Sequence, residues 1–226
     1  MLKLSYDISK YSFGDLLRSC FKTENLEKIH MNLDNEYFVP TGTSGLGNDT
    51  NSHYHKMFYD KLNNDWPEFL QTYTDFIKEV VMGYMKVDKL VYQSKPSFRI
   101  QYPRGKAVTT WHYDSDENHK HPEWEINIQV ALTEMKGDLC TWVETVPGLK
   151  DYKPMEMSPG EFYIFNGNKC THGNRPNNTD KTRVSFDFRV IPHERYNDGF
   201  KNISATKKQK FLIGSYYDVI MKEEGK

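Results

Sequence analysis

Residues 182–191 read TRVSFDFRVI, and the alternation within them decides the fold. Arg183, Ser185, Asp187 and Arg189 fall on one side of an extended chain, and Val184, Phe186, Phe188 and Val190 fall on the other, because successive strand side chains point to opposite faces. Four polar side chains on one face need water, partners or a ligand, since burying them unpaired is costly. If the apolar face packs on helices, the polar face looks into the interior of a barrel.

The same period of two runs through much of the chain before this strand. In SFRIQY (97–102), Phe98, Ile100 and Tyr102 alternate with Ser97, Arg99 and Gln101; in WEINIQVALT (124–133), Trp124, Ile126, Ile128, Val130 and Leu132 alternate with Glu125, Asn127, Gln129 and Ala131. LCTWVE (139–144) and EFYIFNG (161–167) continue the series. Turn residues separate them at Lys136-Gly137-Asp138, Pro147-Gly148, Ser158-Pro159-Gly160 and Pro176-Asn177-Asn178. Short strands spaced by such turns predict a mostly β fold with flanking helices, a sandwich or jelly roll.

Outside 96–192 the rhythm changes. From Pro67 to Tyr84 the apolar and aromatic positions Phe69, Leu70, Tyr73, Phe76, Ile77, Val80, Val81 and Tyr84 recur at helical spacing. Asp65 and Glu68 are placed for a capping box. The stretch TGTSGLGNDTNSHYH (41–55) reads as a surface loop. Residues 206–222, with Phe211, Leu212, Tyr216, Val219 and Ile220, predict a C-terminal helix packed outside the sheet. The expected organisation is one domain over 1–226, with a helical and loop part (1–95), a jelly-roll core (96–192) and the C-terminal helix (193–226).

Composition narrows the function classes. Thirty basic and thirty-one acidic residues give a formal charge of −1, so no global field draws in phosphate backbones or anionic membranes. Three cysteines, Cys20, Cys140 and Cys170, show no C-x-x-C spacing. That argues against a disulfide framework and a thiolate zinc site, and fits a reducing cytoplasm. The first fifteen residues, MLKLSYDISKYSFGD, lack the apolar region of a leader, and no apolar run is long enough to span a bilayer. A soluble, unprocessed chain without a membrane partner is expected; oligomeric state is left open.

Chemistry is concentrated in five residues. In TTWHYD (109–114), read as a strand, His112 and Asp114 share a face while Trp111 and Tyr113 share the other. His172 follows in the turn-rich NGNKCTHGN (166–174). Two imidazoles and a carboxylate form the ligand set of a facial-triad iron(II) site, which leaves positions open for cosubstrate and dioxygen. Arg183 can grip a carboxylate with its planar fork, and Ser185 can add a hydroxyl donor, which suits the far carboxylate of 2-oxoglutarate. The inward alternation also picks out Arg99, Gln101, Glu125, Asn127, Gln129 and Arg189 as candidate lining. His119 and His121, in SDENHKHPE (115–123), would lie near the mouth of such a site, but neither is offered as a ligand; His53 and His55 in the early loop share that ambiguity.

His112-x-Asp114, His172 and Arg183-x-Ser185 resemble the signature of the iron(II)/2-oxoglutarate-dependent oxygenases, over roughly Arg99 to Pro192. WEINIQVALTEM, CTWVETVPG and TRVSFDFRVIP are similar to small oxygenases of the streptomycin-biosynthesis type. The resemblance implies a double-stranded β-helix. It implies His112, Asp114 and His172 as metal ligands and catalytic centre, with Arg183, assisted by Ser185, as the anchor of the cosubstrate; Asn127, from the inward alternation, is assigned to the cosubstrate with them. Iron(II), 2-oxoglutarate and dioxygen would then be consumed in hydroxylating or desaturating a polar small molecule, such as an amino acid, sugar or specialised metabolite, with release of succinate and carbon dioxide. Halogenating relatives carry a small residue in place of the carboxylate, so Asp114 implies that chloride is not transferred.

Alternatives share parts of the pattern. Arg183 and Arg189 also match the R-x5-R spacing of AlkB-type repair oxygenases, but the near-neutral charge lacks the basic footprint of nucleic-acid binding. A protein-modifying oxygenase would need an open groove. A non-catalytic jelly-roll module could hold a structural metal on the His/Asp set, yet would have no use for a dicarboxylate anchor.

Overall fold

A computed structural model of the chain describes residues 1–33, 52–105, 111–203 and 208–222. Among the described residues ten strands form two antiparallel sheets: β1 (Leu2–Ser5), β2 (Lys89–Gln93), β3 (Ser97–Gln101), β4 (Ile126–Ala131), β5 (Thr141–Val143), β6 (Lys153–Pro154), β7 (Glu161–Phe165), β8 (His172–Asn174), β9 (Arg183–Pro192) and β10 (Tyr217–Met221). The larger sheet runs β1-β7-β4-β9-β2-β10, with β3 also paired to β9; the smaller runs β6-β5-β8. Helices α1 (Phe13–Phe21), α2 (His53–Asn64) and α3 (Pro67–Phe76) precede this core, and α3 continues through a π-helical segment, Ile77–Val81, into α4 (Met82–Met85).

Strand β9 organises the large sheet, and all ten of its residues are buried. One edge pairs with β4 from Ile126↔Val190 to Ala131↔Ser185. The other edge is shared by β3, from Ser97↔Asp187 to Gln101↔Arg183, and by β2, from Leu90↔Pro192 to Tyr92↔Val190. Its apolar face, Val184, Phe186, Phe188 and Val190, joins Phe13, Phe58, Phe69, Tyr73 and Phe76 of the helices in the main core. The Phe13 and Phe186 rings meet edge-on at 4.9 Å, and the Tyr73 and Phe188 rings at 5.1 Å. Each such ring stabilises the fold by about 1.5–3 kcal/mol through burial. The expected division of faces holds, because the helices take the apolar side and leave the polar side inward.

Ala131 and Phe165 from the large sheet, with Val143, Met155, Met157 and Cys170, form a second cluster that joins the two sheets. Single bridges, Met135↔Met157 and His112↔His172, lie outside the named strand pairs. The three cysteines are buried free thiols. Among the described residues no helix is long and apolar enough to cross a membrane.

Four expectations are corrected. The C-terminal stretch is not a helix: residues 217–221 are β10, antiparallel to β2 from Tyr217↔Gln93 to Met221↔Lys89. The open edge of β2 offers a row of unpaired backbone groups, and pairing it outweighs the helical spacing of five apolar residues. Nor does Asp65 cap α3; Trp66 occupies that position without a side-chain hydrogen bond, and Pro67 opens the helix. The loop expected over 41–55 ends early, since Ser52 caps α2 by accepting the His55 backbone N–H and His53 and His55 lie in its first turn; its residues 41–51 lie outside the described residues. TTWHYD is not a regular strand: His112 makes one bridge and Asp114 sits in a turn, with residues 109 and 110 outside the described residues.

Candidate metal centre

His112 and Asp114 reach the centre from an irregular segment pinned by backbone hydrogen bonds. The His112 N–H donates to the His172 carbonyl at 3.0 Å, the His172 N–H returns to the His112 carbonyl at 2.8 Å, and the Asp114 N–H donates to the Gly167 carbonyl at 3.0 Å. Strand alternation is therefore not what converges these ligands; a two-way bridge to the first residue of β8 does so. Asp114 Oδ1 then lies 3.5 Å from His112 Nε2 and 3.7 Å from His172 Nε2. One donor atom from each of the three residues falls within 4.8 Å of the others.

The electrostatics suit a divalent cation. His172 Nδ1 is 3.1 Å from the Cys170 carbonyl; donating there leaves Nε2 with its lone pair toward Asp114. Burial pushes the His172 imidazole down to about 4, despite the pull of Asp114 in the other direction. A neutral ring at pH 7 is what a metal requires. Burial acting alone would raise the Asp114 carboxyl, but Arg189, with His112, His121 and His172, holds it well below the usual carboxylate range. A buried carboxylate beside two imidazoles is a donor set of the two-His-one-carboxylate type.

A small cavity adjoins the triad, lined by His112 and His172 and also by Asn127, Gln129, Thr141, Asn174, Arg183 and Arg189. Arg183 is almost fully buried, and its Nη1 lies 3.5 Å from Thr141 Oγ1, the outer limit of a hydrogen bond. That hydroxyl also receives the amides of Gln129 at 3.0 Å and Asn174 at 3.2 Å. Ser185 Oγ, Gln129 Oε1 and Asn127 Oδ1 are buried with no hydrogen-bond partner among the described residues. Such atoms are rare in folded proteins, and a polar ligand would satisfy them. The residues present therefore fit a small dicarboxylate held beside a metal.

His112 also lines a larger cavity of about 490 Å³, together with Tyr59, Lys95, Arg99, Asp114, His119, His121, Arg189, Phe211 and Tyr216. His119 and His121, left unassigned by the sequence, are both in its wall. His121 Nδ1 is 2.8 Å from Glu125 Oε2, and the Tyr217 hydroxyl donates to Glu125 Oε1. Asp114, His121 and Glu125 thus form a second close group of possible ligand atoms, but Glu125 is already hydrogen-bonded on both oxygens.

Of the candidate lining, Arg99 and Arg189 border both cavities and Gln129 borders the small one. Glu125 stands behind His121. Gln101 turns away, its amide donating to the Arg175 carbonyl at 2.8 Å. Asn127 is placed on Asp114, with Nδ2 2.7 Å from Oδ2. Gly167 permits this: a Cβ there would lie 2.8 Å from the Asn127 amide. In the sequence Asp187 is only one of four polar residues on its strand face. In the fold it is the acceptor that joins Arg99 (2.7 Å) to Arg189 (2.6 Å).

No family model matches the chain. It is 28% identical over 218 residues to the streptomycin biosynthesis protein StrG of Streptomyces griseus, covering 96% of this chain and 98% of that protein. Among solved structures it is similar to EctD from S. alaskensis in its apo form, with 13% identity, 94% of this chain and 78% of that chain covered, and a TM-score of 0.50. CytC3 with Fe(II) and alpha-ketoglutarate is 16% identical over 92% of this chain and 82% of its own, with a TM-score of 0.48.

Proposed function

We propose that this chain, similar along nearly its whole length to a streptomycin-biosynthesis protein, is an iron(II)- and 2-oxoglutarate-dependent dioxygenase. In this reading its two sheets are the halves of a double-stranded β-helix in a single domain. It hydroxylates or desaturates a polar small molecule and releases succinate and carbon dioxide. One observation carries the reading: His112 and His172 of the candidate triad and the buried Arg183 guanidinium line a common cavity. A structural metal site needs no buried cation facing its ligands. The three free thiols fit a reducing compartment, and the cytoplasm is the location proposed.

His112, Asp114 and His172 would hold the metal, and the unpartnered buried polar atoms beside Arg183 would meet the cosubstrate. Iron(II) with 2-oxoglutarate supplies activation of dioxygen, which protein side chains cannot perform. The chain's own part is positioning. Arg183 takes the distal carboxylate in a charge-assisted contact, with Ser185 Oγ as a further partner. The Cys170 carbonyl fixes the His172 tautomer. The larger cavity receives the substrate against Tyr59, Phe211 and Tyr216, whose rings limit the access of water to the reacting position. Its size suits a metabolite rather than a polymer.

Anaerobic titration with iron(II) and then 2-oxoglutarate tests the reading. A visible metal-to-ligand charge-transfer band, followed by succinate on admission of air, is the expected result. Tight zinc binding with no band and no succinate would sink it.

A further inference from the structure

The geometry points to Arg189 as the positioning residue that limits Asp114 to one metal-facing oxygen. From the sequence, Arg189 is expected to line a substrate pocket or, in the R-x5-R alternative, to sit near the metal or the substrate. Its Nε lies 3.0 Å and its Nη2 2.9 Å from the same atom, Asp114 Oδ2. Asn127 Nδ2 reaches that atom at 2.7 Å. Three donors therefore occupy the two lone pairs of Oδ2. The other oxygen, Oδ1, is the one facing His112 Nε2 and His172 Nε2. The carboxylate is thus divided, with one oxygen tied to the protein and one left for the cation.

The tie is rigid because it is buried and braced. Arg189 and Asp114 are both buried, and Arg189 Nη1 donates to Asp187 Oδ2 at 2.6 Å. Asp187 in turn accepts from Arg99 Nε at 2.7 Å. Asn127↔Arg189 and Gln129↔Asp187 are paired positions of β4 and β9, and Ser97↔Asp187 pairs β3 with β9, so adjacent strands hold every member but Asp114. A guanidinium is suited to this work, since its planar fork presents two parallel N–H groups and cannot lose its charge. Partners behind ligand residues commonly change metal affinity by about 10–100-fold.

The inference rests on the reading of His112, Asp114 and His172 as a metal site, and cobalt(II) alone can probe it. Purified wild type, R189M and R189K are titrated with cobalt(II), recording the dissociation constant and the visible d–d spectrum, alongside thermal melts of the metal-free proteins. Expected are about 10–100-fold weaker binding and a changed spectrum in R189M, with partial recovery in R189K, which restores the charge but not the fork. A merely structural arginine would lower the melting temperature while the folded protein kept wild-type affinity and spectrum, and that result overturns the inference. Should R189M fail to fold, a folded R189K with the wild-type constant and spectrum would overturn it equally. Wild type that binds cobalt(II) but gives no charge-transfer band with iron(II) and 2-oxoglutarate would sink the proposed activity and leave this inference standing.

Discussion

The His119 ring lies on the His112 ring, with centroids 4.3 Å and planes 27° apart, while His119 Nδ1 is held 2.8 Å from Asp116 Oδ1. A third imidazole thus stands against a candidate ligand without joining the ligand group. Asp116 also accepts the backbone N–H groups of Asn118 and His119, at 2.9 and 2.8 Å, so the loop itself orders the ring. H119A should keep one metal per chain after desalting, whereas H172A should lose it. Metal content by elemental analysis decides, and equal loss in both variants would make His119 a ligand.

The pH dependence of stability carries the mark of His172. Its imidazole titrates near 6.5 when unfolded and at about 4 when folded, chiefly through burial. Between those values the unfolded chain holds the extra proton, so the metal-free protein loses stability as pH falls from 6.5 toward 4. Each tenfold difference in proton affinity between the two states is worth about 1.4 kcal/mol, so the loss is on the order of 3 kcal/mol. Asp187, lowered in the folded state by Arg99 and Arg189 against its burial, adds a loss at more acid pH, below its unfolded value of 3.8. Melts of the apo protein across this range should show the slope, and H172N should flatten its upper part. An unchanged slope in H172N would assign it elsewhere.

Much of the candidate centre was legible because β9 obeys a period of two over ten residues, which made its polar face visible without knowledge of any contact. Loops have no period, so the connection that carries His119 and His121 points to the mouth of the site but assigns neither residue a role. Glu125 stands behind His121 rather than in the wall of the two cavities at the triad for a related reason. Alternation put it with Asn127 and Gln129, but β4 begins at Ile126, and Glu125 still belongs to the preceding turn, its N–H donating to the Pro122 carbonyl at 3.3 Å. The C-terminal segment deceived differently. Phe211, Tyr216 and Tyr217 do become buried or partly buried, but Gly214 turns the chain at a φ of +79° and the edge of β2 takes up residues 217–221 as a strand. Which edge lacks a partner is a property of the assembled sheet.

Arg183 should separate cosubstrate binding from metal binding. It is buried at the start of β9 and lines the small cavity, whereas the donors to Asp114 Oδ2 come from Arg189 and Asn127. R183Q removes a charge-assisted contact worth about 1.5–3 kcal/mol, or roughly 10–100-fold in 2-oxoglutarate affinity. The cobalt(II) dissociation constant should move far less. Parallel titrations with metal and with 2-oxoglutarate measure both, and equal losses would mean that the anchor was misassigned.

Removing Asp114 exposes what its outer oxygen was holding. The Nε and Nη2 of Arg189 and the Nδ2 of Asn127 converge on Oδ2, and D114A is expected to leave them aimed at the vacated place. A buried guanidinium stripped of one carboxylate costs about 3–5 kcal/mol, which for a chain of this size lowers Tm by about 6–20 °C. Asp187 remains on Nη1, so the cation keeps one partner and the fold has a route to survive. Chloride is small enough to enter the vacated space and accept from those donors, and a ligand that binds only the folded state raises its stability. D114A should therefore melt higher in sodium chloride than in sodium gluconate at equal ionic strength, while wild type melts alike in both. If D114A shows no preference for chloride, the donors have turned away, and the division of Asp114 into a tied oxygen and a metal-facing oxygen depends on the carboxylate itself rather than on a preformed cradle behind it.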